Sequence, residues 1–183
     1  MPRQLIKDIL TKDNVANIIT ENMEYLLELI PEIKPMMGFE HKHPHHHLDV
    51  WEHTLEVIRN LDTTDFELNM AGLLHDIGKP FSYQDEEVRH FHGHPEVSAQ
   101  MSEKILRRLG FENEFINNVV YLVKTHDTVI EPDNLDNNMN MINKRLKLQY
   151  ADAKAHKPDK IEKRLKHLDE ISEQLKNLEE IER

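Results

Sequence analysis

Residues 70–81 read MAGLLHDIGKPF, and the adjacent pair His75-Asp76 within them decides how the rest of the chain is read. Leu68, Ala71, Gly72 and Leu74 form an apolar helical run up to the pair, and Gly78 and Pro80 are stop signals just beyond it. The spacing therefore predicts a helix that delivers both side chains at its C-terminal end. Neither an imidazole nor a carboxylate belongs on a packed face unless something pairs with it. Adjacent helical residues point about 100° apart, so these two converge only on an object placed at the helix end. A metal ion is the simplest such object.

Composition narrows the frame around that pair. The chain has 183 residues, 38% hydrophobic and 31% charged, the balance of a soluble globular protein large enough for a real core. Strand-like alternation is scarce, there are only five glycines, and Glu, Lys, Leu, Met and Asn are plentiful. An all-α fold follows. A net charge of -11 argues against a general nucleic-acid binder and against DNA-specific binding. It remains compatible with a small phosphorylated ligand or an RNA end, because a bound metal makes a local pocket positive. Without cysteine there is no disulfide framework and no thiolate chemistry. The N-terminus MPRQLIKDIL is too polar for a signal peptide and no stretch approaches a membrane span, so the cytoplasm is the expected location. Thirteen histidines are many for this length, and none sits in a terminal run.

Working outward, residues 3–10 read as a short helix or arm, followed by a helix capped at Thr11 with the stripe Val15, Ile18, Met23, Leu26 and Ile30, broken at Pro31 and Pro35. PMMGFEHKHPHHH is a loop with five of the histidines. Asp49 caps a helix over 50–61, in which His53 lies near the buried side four residues before Val57. Asp62 or Thr64 restarts the chain into the helix ending at His75-Asp76. An irregular stretch over 79–93 precedes a helix opened by Pro95, with His94 at its cap and Gly110 as its C' residue. A helix over about 112–125 ends at His126-Asp127, a polar loop covers 128–140, and the next helix carries Asp152 beside its apolar face. After Pro158, Ile161, Leu165, Leu168, Ile171, Leu175, Leu178 and Ile181 form one amphipathic helix. That helix is either the last of the bundle or the contact of a homodimer.

Five successive helices thus each offer an imidazole or carboxylate at an end or on an inner stripe: His53, His75-Asp76, His94, His126 and Asp152. Such ligands suit zinc, iron, manganese, nickel or cobalt. The pattern His53, His75-Asp76, Asp152 resembles the metal-binding signature of the HD-domain phosphohydrolases. HPHHHLDVWEHTLEVI, residues 70–80, HFHGHPEVSAQMSEKILRRLGF and LVKTHD are closer still to the HD domain carried by bacterial tRNA nucleotidyltransferases and poly(A) polymerase-like proteins. The resemblance covers roughly residues 25–155, with four blocks in the same order. It implies an HD-domain helical bundle over 1–158, with 159–183 as a C-terminal helix packed on the same domain.

The resemblance further implies that His53, His75, Asp76 and Asp152 hold one divalent ion, with His94 and His126 matching the extra histidines of two-ion members, in which Asp76 bridges. No Gly-Tyr-Pro signature appears, which disfavours the cyclic-di-GMP branch. The stretch ahead of His53 is too short for the nucleotidyltransferase catalytic domain, so the hydrolytic module is what remains. The implied function is divalent-metal-dependent hydrolysis of a nucleotide or RNA-end phosphoester, with a 2',3'-cyclic phosphodiester as the nearest case. The alternative is a metal-containing nucleotide- or RNA-binding or oligomerisation module without turnover. Asp76 would orient or deprotonate the attacking water, and Lys79 would neutralise a substrate phosphate oxygen. His46, His47, Arg89 and His90 are candidates for the pocket rim or leaving-group protonation, whereas His43, His45, His156 and His167 read as solvated.

Overall fold

A computed structural model describes residues 2–84, 87–131 and 138–181. The loop expected over 128–140 therefore falls partly outside the described residues, as do two positions of the 79–93 stretch and the last two of the tail. The helices are α1 (Pro2–Leu10), α2 (Val15–Glu21), α3 (Met23–Leu29), α4 (Val50–Leu61), α5 (Phe66–Leu74), α6 (His94–Arg108), α7 (Asn113–Thr125), α8 (Met139–Lys154) and α9 (Glu162–Ile181). Short 3-10 turns cover Pro31–Met36, Lys79–Phe81 and Pro158–Lys160. Among the described residues there is no β-strand, only isolated bridges at Glu40–Asp49 and Gln84–His90. The all-α expectation holds.

Local chemistry sets most of the boundaries. Asp49 and Glu52 form a reciprocal capping box at the start of α4. Gly110, at φ +78°, ends α6 in the left-handed conformation that glycine adopts without strain. Three expectations were displaced. The helix expected through 15–30 breaks at Asn22, whose side chain donates to Ile18 O, so α2 and α3 are separate. Thr11 caps nothing, because its hydroxyl donates back to Lys7 O. The cap of α5 is Asp65, which accepts from Leu68 N, and not Asp62 or Thr64.

α5 is the axis of the molecule. Met70, Ala71, Leu73 and Leu74 are all fully buried, so the helix is apolar all round and packs on α4, α7 and α8 at once. A helix so placed must end inside the protein, which is why His75 and Asp76 are interior residues. α6 lies along α7 and α4 along α8, closing the bundle around that end. α9 docks on α8 through Leu168, Ile171 and Leu175, which bury against Ile130, Ile142, Leu146 and Ala153.

Gly78 lets α6 approach the end of α5. A Cβ there would stand 2.6 Å from Ser98 N and 2.9 Å from Ser98 Oγ, the hydroxyl that accepts from Gly78 N. Backbone cannot yield as a flexible side-chain tip can. Gly78→Ala is expected to cost roughly 1–3 kcal/mol of stability, read as a lowered midpoint in urea unfolding.

Candidate metal centre

The ends of three helices and the inner faces of two more meet around Asp76. His75 is the C-cap of α5 and His126 the C-cap of α7, so both stand where carbonyl dipoles favour a cation. His94 opens α6, while His53 and Asp152 face each other from α4 and α8. All six side chains are buried.

The two oxygens of Asp76 face different partners. Oδ2 lies 3.2 Å from His75 Nε2 and 3.6 Å from His53 Nε2, and His53 Nε2 is 2.9 Å from Asp152 Oδ1. Oδ1 lies 3.2 Å from His94 Nε2 and 3.6 Å from His126 Nε2. In His75, His94 and His126 the Nδ1–H donates to a backbone carbonyl three residues earlier, of Gly72, Phe91 and Val123. That fixes the tautomer and turns each Nε2 lone pair inward, as outer hydrogen bonds do for metal-ligating histidines.

These atoms fit a cation. His94 Nε2 and His126 Nε2 stand 3.3 Å apart, both with Nδ1 engaged, so only an extra proton or a cation makes the approach favourable. Among the described residues His75 Nε2 and both Asp76 oxygens are buried without a hydrogen-bond partner, although Lys79 Nζ reaches Oδ2 at 2.8 Å as an ion pair. Orphaned buried polar atoms are costly in a packed interior and mark a site that expects a ligand. Two groups of ligand atoms, from His53, His75 and Asp76 and from Asp76, His94 and His126, lie within 4.8 Å of one another. A third group contains His53, Asp152 and His156.

The electrostatics agree. Burial works to raise the Asp76 carboxyl, but His75, Lys79 and His126 outweigh it and hold it well below the usual range. Burial also works to raise Asp152, and Arg164, His53 and His156 pull it down. His53 is lowered to about 4 by burial, partly offset by Asp152, so it is neutral near pH 7. For His75 burial is overcome by the neighbouring Asp76 and Asp152 carboxylates, and its value rises. The centre therefore keeps its carboxylates ionised, and they draw positive charge toward them.

The remaining sequence candidates divide. Lys79 is buried, with Nζ between Asp76 Oδ2 and His41 Nε2 at 3.1 Å. His41, lowered to about 2 by burial and by Lys79, donates from Nδ1 to Leu48 O and accepts the lysine on Nε2. His46, His90 and Arg89 line a cavity of about 240 Å³ against Asp76, Lys79, His94, His126 and Asp152. Arg89 also donates to Glu40 O and stacks on Phe39 and Tyr83. His47 is exposed and lines a separate cavity, so the structure does not bring it to the centre. A larger cavity of about 690 Å³ opens beside Asn14, Arg59 and Asp62, but no histidine lines it, and chemistry outranks volume in choosing the site.

Sequence reasoning missed His156, His41 and Arg164 beside the centre, and His43, expected to be solvated, is half-buried and lines the same 240 Å³ cavity. His156, expected to be solvated, is half-buried against His53, with Nδ1 bonded to Asp152 O. Its position four residues after Asp152, in a stretch the sequence reads as helical, was a usable signal, although α8 itself ends at Lys154. His41 carried no mark distinguishing it from four other loop histidines. Arg164 Nη2 meets Asp152 Oδ2 at 2.8 Å from a different helix, and no spacing rule reaches that far.

Fold and site together define a class: a helical bundle presenting a buried histidine–aspartate cluster for a divalent ion. The chain matches the HD domain family over residues 45–172 and belongs to it. HD domains bind divalent metals, and the buried clusters here are able to hold one. The chain is 36% identical over 129 residues to the A-adding tRNA nucleotidyltransferase of Deinococcus radiodurans, covering 66% of this chain and 30% of that protein. It is 35% identical over 115 residues to the CC-adding tRNA nucleotidyltransferase of Thermus thermophilus, covering 59% and 26%. A Multifunctional CCA protein of Shewanella denitrificans is 28% identical over 106 residues, covering 55% and 25%. The resemblance carried by the four sequence blocks is thus borne out. The chain spans less than a third of the length of these relatives. Among the described residues no helix is long and apolar enough to cross a membrane.

Proposed function

We propose that this HD domain is a divalent-metal-dependent phosphohydrolase acting on a nucleotide or RNA-end phosphoester, with 2',3'-cyclic phosphodiesters as the first substrates to try. One observation carries the reading: the carboxylate of Asp76 divides its oxygens between two sets of inward-facing imidazoles, 3.2 Å from His75 on one side and 3.2 Å from His94 on the other. His53, His75, Asp76 and Asp152 would hold one ion, and Asp76, His94 and His126 a second. Iron, manganese, nickel, zinc and cobalt all suit such ligands.

A divalent ion, when bound, supplies Lewis acidity toward a phosphoryl oxygen and toward water. The chain's own residues do the rest. Asp76 lines the cavity, where its ionised carboxylate orients the attacking water. Lys79, held between Asp76 and His41, brings a buried positive charge to the cavity wall and offsets charge on a phosphate oxygen. His90 and His156 stand along the same wall, in position to protonate a leaving oxygen, whereas burial and Lys79 push the His46 imidazole far below its usual range and leave it neutral. The names of the relatives, which act on tRNA, support trying RNA ends first.

A panel of 2',3'-cyclic nucleotides, 3',5'-cyclic nucleotides, mononucleotides and deoxynucleoside triphosphates, each run with several metals, tests the reading. Turnover of at least one class, abolished by chelator and restored by metal, is the expected result. Metal-loaded protein inert toward the whole panel sinks the hydrolase reading. Tight RNA-end binding in that case would make the domain a binding module.

A further inference from the structure

The third cluster, His53–Asp152–His156, has the composition of one more ion site, but its carboxylate already has a cation. Arg164, in the first turn of α9, places Nη2 2.8 Å from Asp152 Oδ2. The other oxygen, Oδ1, faces His53 Nε2 at 2.9 Å and His75 Nε2 at 3.8 Å. The two oxygens of Asp152 therefore serve different partners, one inward and one toward the C-terminal helix.

We infer that Arg164 is a positioning residue of the metal centre: by holding Asp152 Oδ2 it commits Oδ1 to the ion shared with His53, His75 and Asp76. This rests on the reading that those four residues hold a divalent ion. The terminal torsion of an aspartate is broad, so an unheld carboxylate samples many orientations and must be ordered when an ion binds. A fixed donor on the outer oxygen removes that cost. Partners that orient ligating groups in this way typically contribute 10–100-fold in metal affinity.

An opposing effect exists, since a guanidinium near a dication repels it. Arg164 is 31% exposed while Asp152 is buried, so solvent screens the arginine charge while its hydrogen bond to the carboxylate stays intact. Orientation wins on that balance. The arginine reaches Asp152 only because α9 is docked: twelve residues separate the two, and Leu168, Ile171 and Leu175 seat the helix on α8. Lys157 N, donating to His45 O at 3.0 Å, ties the intervening turn to the histidine loop. The C-terminal helix is on this account a part of the metal site and not only a cover for apolar surface.

The test is Mn2+ binding to the full chain by equilibrium dialysis, made in an H94A background so that only the ion at His53, His75, Asp76 and Asp152 is counted. Arg164→Ala should weaken that ion at least about tenfold, and Arg164→Lys, which keeps a charge and a donor, should recover part of the loss. Ile6→Ala in α1, a helix that packs on α2 and α5, is the structural control, expected to lower the melting temperature while leaving Mn2+ affinity in place. Thermal unfolding and circular dichroism are taken on every sample. Arg164→Ala binding Mn2+ as tightly as its parent, or tighter, overturns the inference alone, as does an equal loss in Ile6→Ala. Should Arg164→Ala fail to fold, Arg164→Lys and Arg164→Gln decide it, and parental affinity in both overturns it. A parent that takes up no Mn2+ overturns the metal reading and this inference together.

Discussion

Asp76→Asn is expected to fold, with helical content close to the parent, and to lose both metal affinity and at least about two orders of magnitude in turnover. Size and one acceptor oxygen survive the change. The negative charge does not, and among the described residues Asp76 is the carboxylate common to the His53–His75 and His94–His126 sides. The new amide also points its donor either at Lys79 Nζ, which already donates, or into an Nε2 lone pair that an ion would otherwise take. Lys79 keeps His41 Nε2 as an acceptor at 3.1 Å, and Asp76 itself no longer has to be desolvated, so the fold should survive with reduced stability. His94→Ala touches only the Oδ1 side and should remove one of two ions. Metal content and hydrolysis rate, measured on the same preparations of parent, D76N and H94A, check this. A D76N protein with full metal and full activity would mean that His75-Asp76 is not the centre of the chemistry.

Truncation after Pro158 should have the second large effect, and on the fold itself. Leu168, Ile171 and Leu175 are at most 2% exposed, and their removal uncovers Ile130, Ile142 and Leu146. Burying one such side chain contributes about 1.5–3 kcal/mol, so losing three removes a large part of the 5–15 kcal/mol typical of a domain. The truncated chain is expected to aggregate or to unfold well below the parent temperature. A truncated chain that stays folded and turns from dimer to monomer in light scattering would assign α9 to dimerisation instead.

The elements around the centre could be read from the sequence because each is set locally. Capping at Asp49, the stops at Gly78 and Pro80 and the closure at Gly110 each depend on a few neighbouring residues. His53, His75, Asp76, His94, His126 and Asp152 were legible as candidates for the same reason, lying at helix ends or on inner stripes, and the bundle brings all six together. What was not legible depends on packing. Asn22 splits the helix expected through 15–30 by a side-chain bond to Ile18 O that propensity does not foresee. His41 and His47 sit in the same histidine-rich loop, and only its fold decides that one supports Lys79 while the other is exposed. Arg164 reaches Asp152 because α9 lies back on α8, a long-range event with no local signature.

The central claim is that the cluster around Asp76 holds a divalent ion, and elemental analysis of the purified chain tests it most directly. The chain is prepared without chelator and measured before and after incubation with Mn2+ or Fe2+. The account expects one or two equivalents of iron, manganese, nickel, zinc or cobalt per chain. Less than about 0.2 equivalents, with no uptake on incubation, would contradict it, since a buried set of ionised carboxylates and inward-facing imidazoles would then have no ligand to serve.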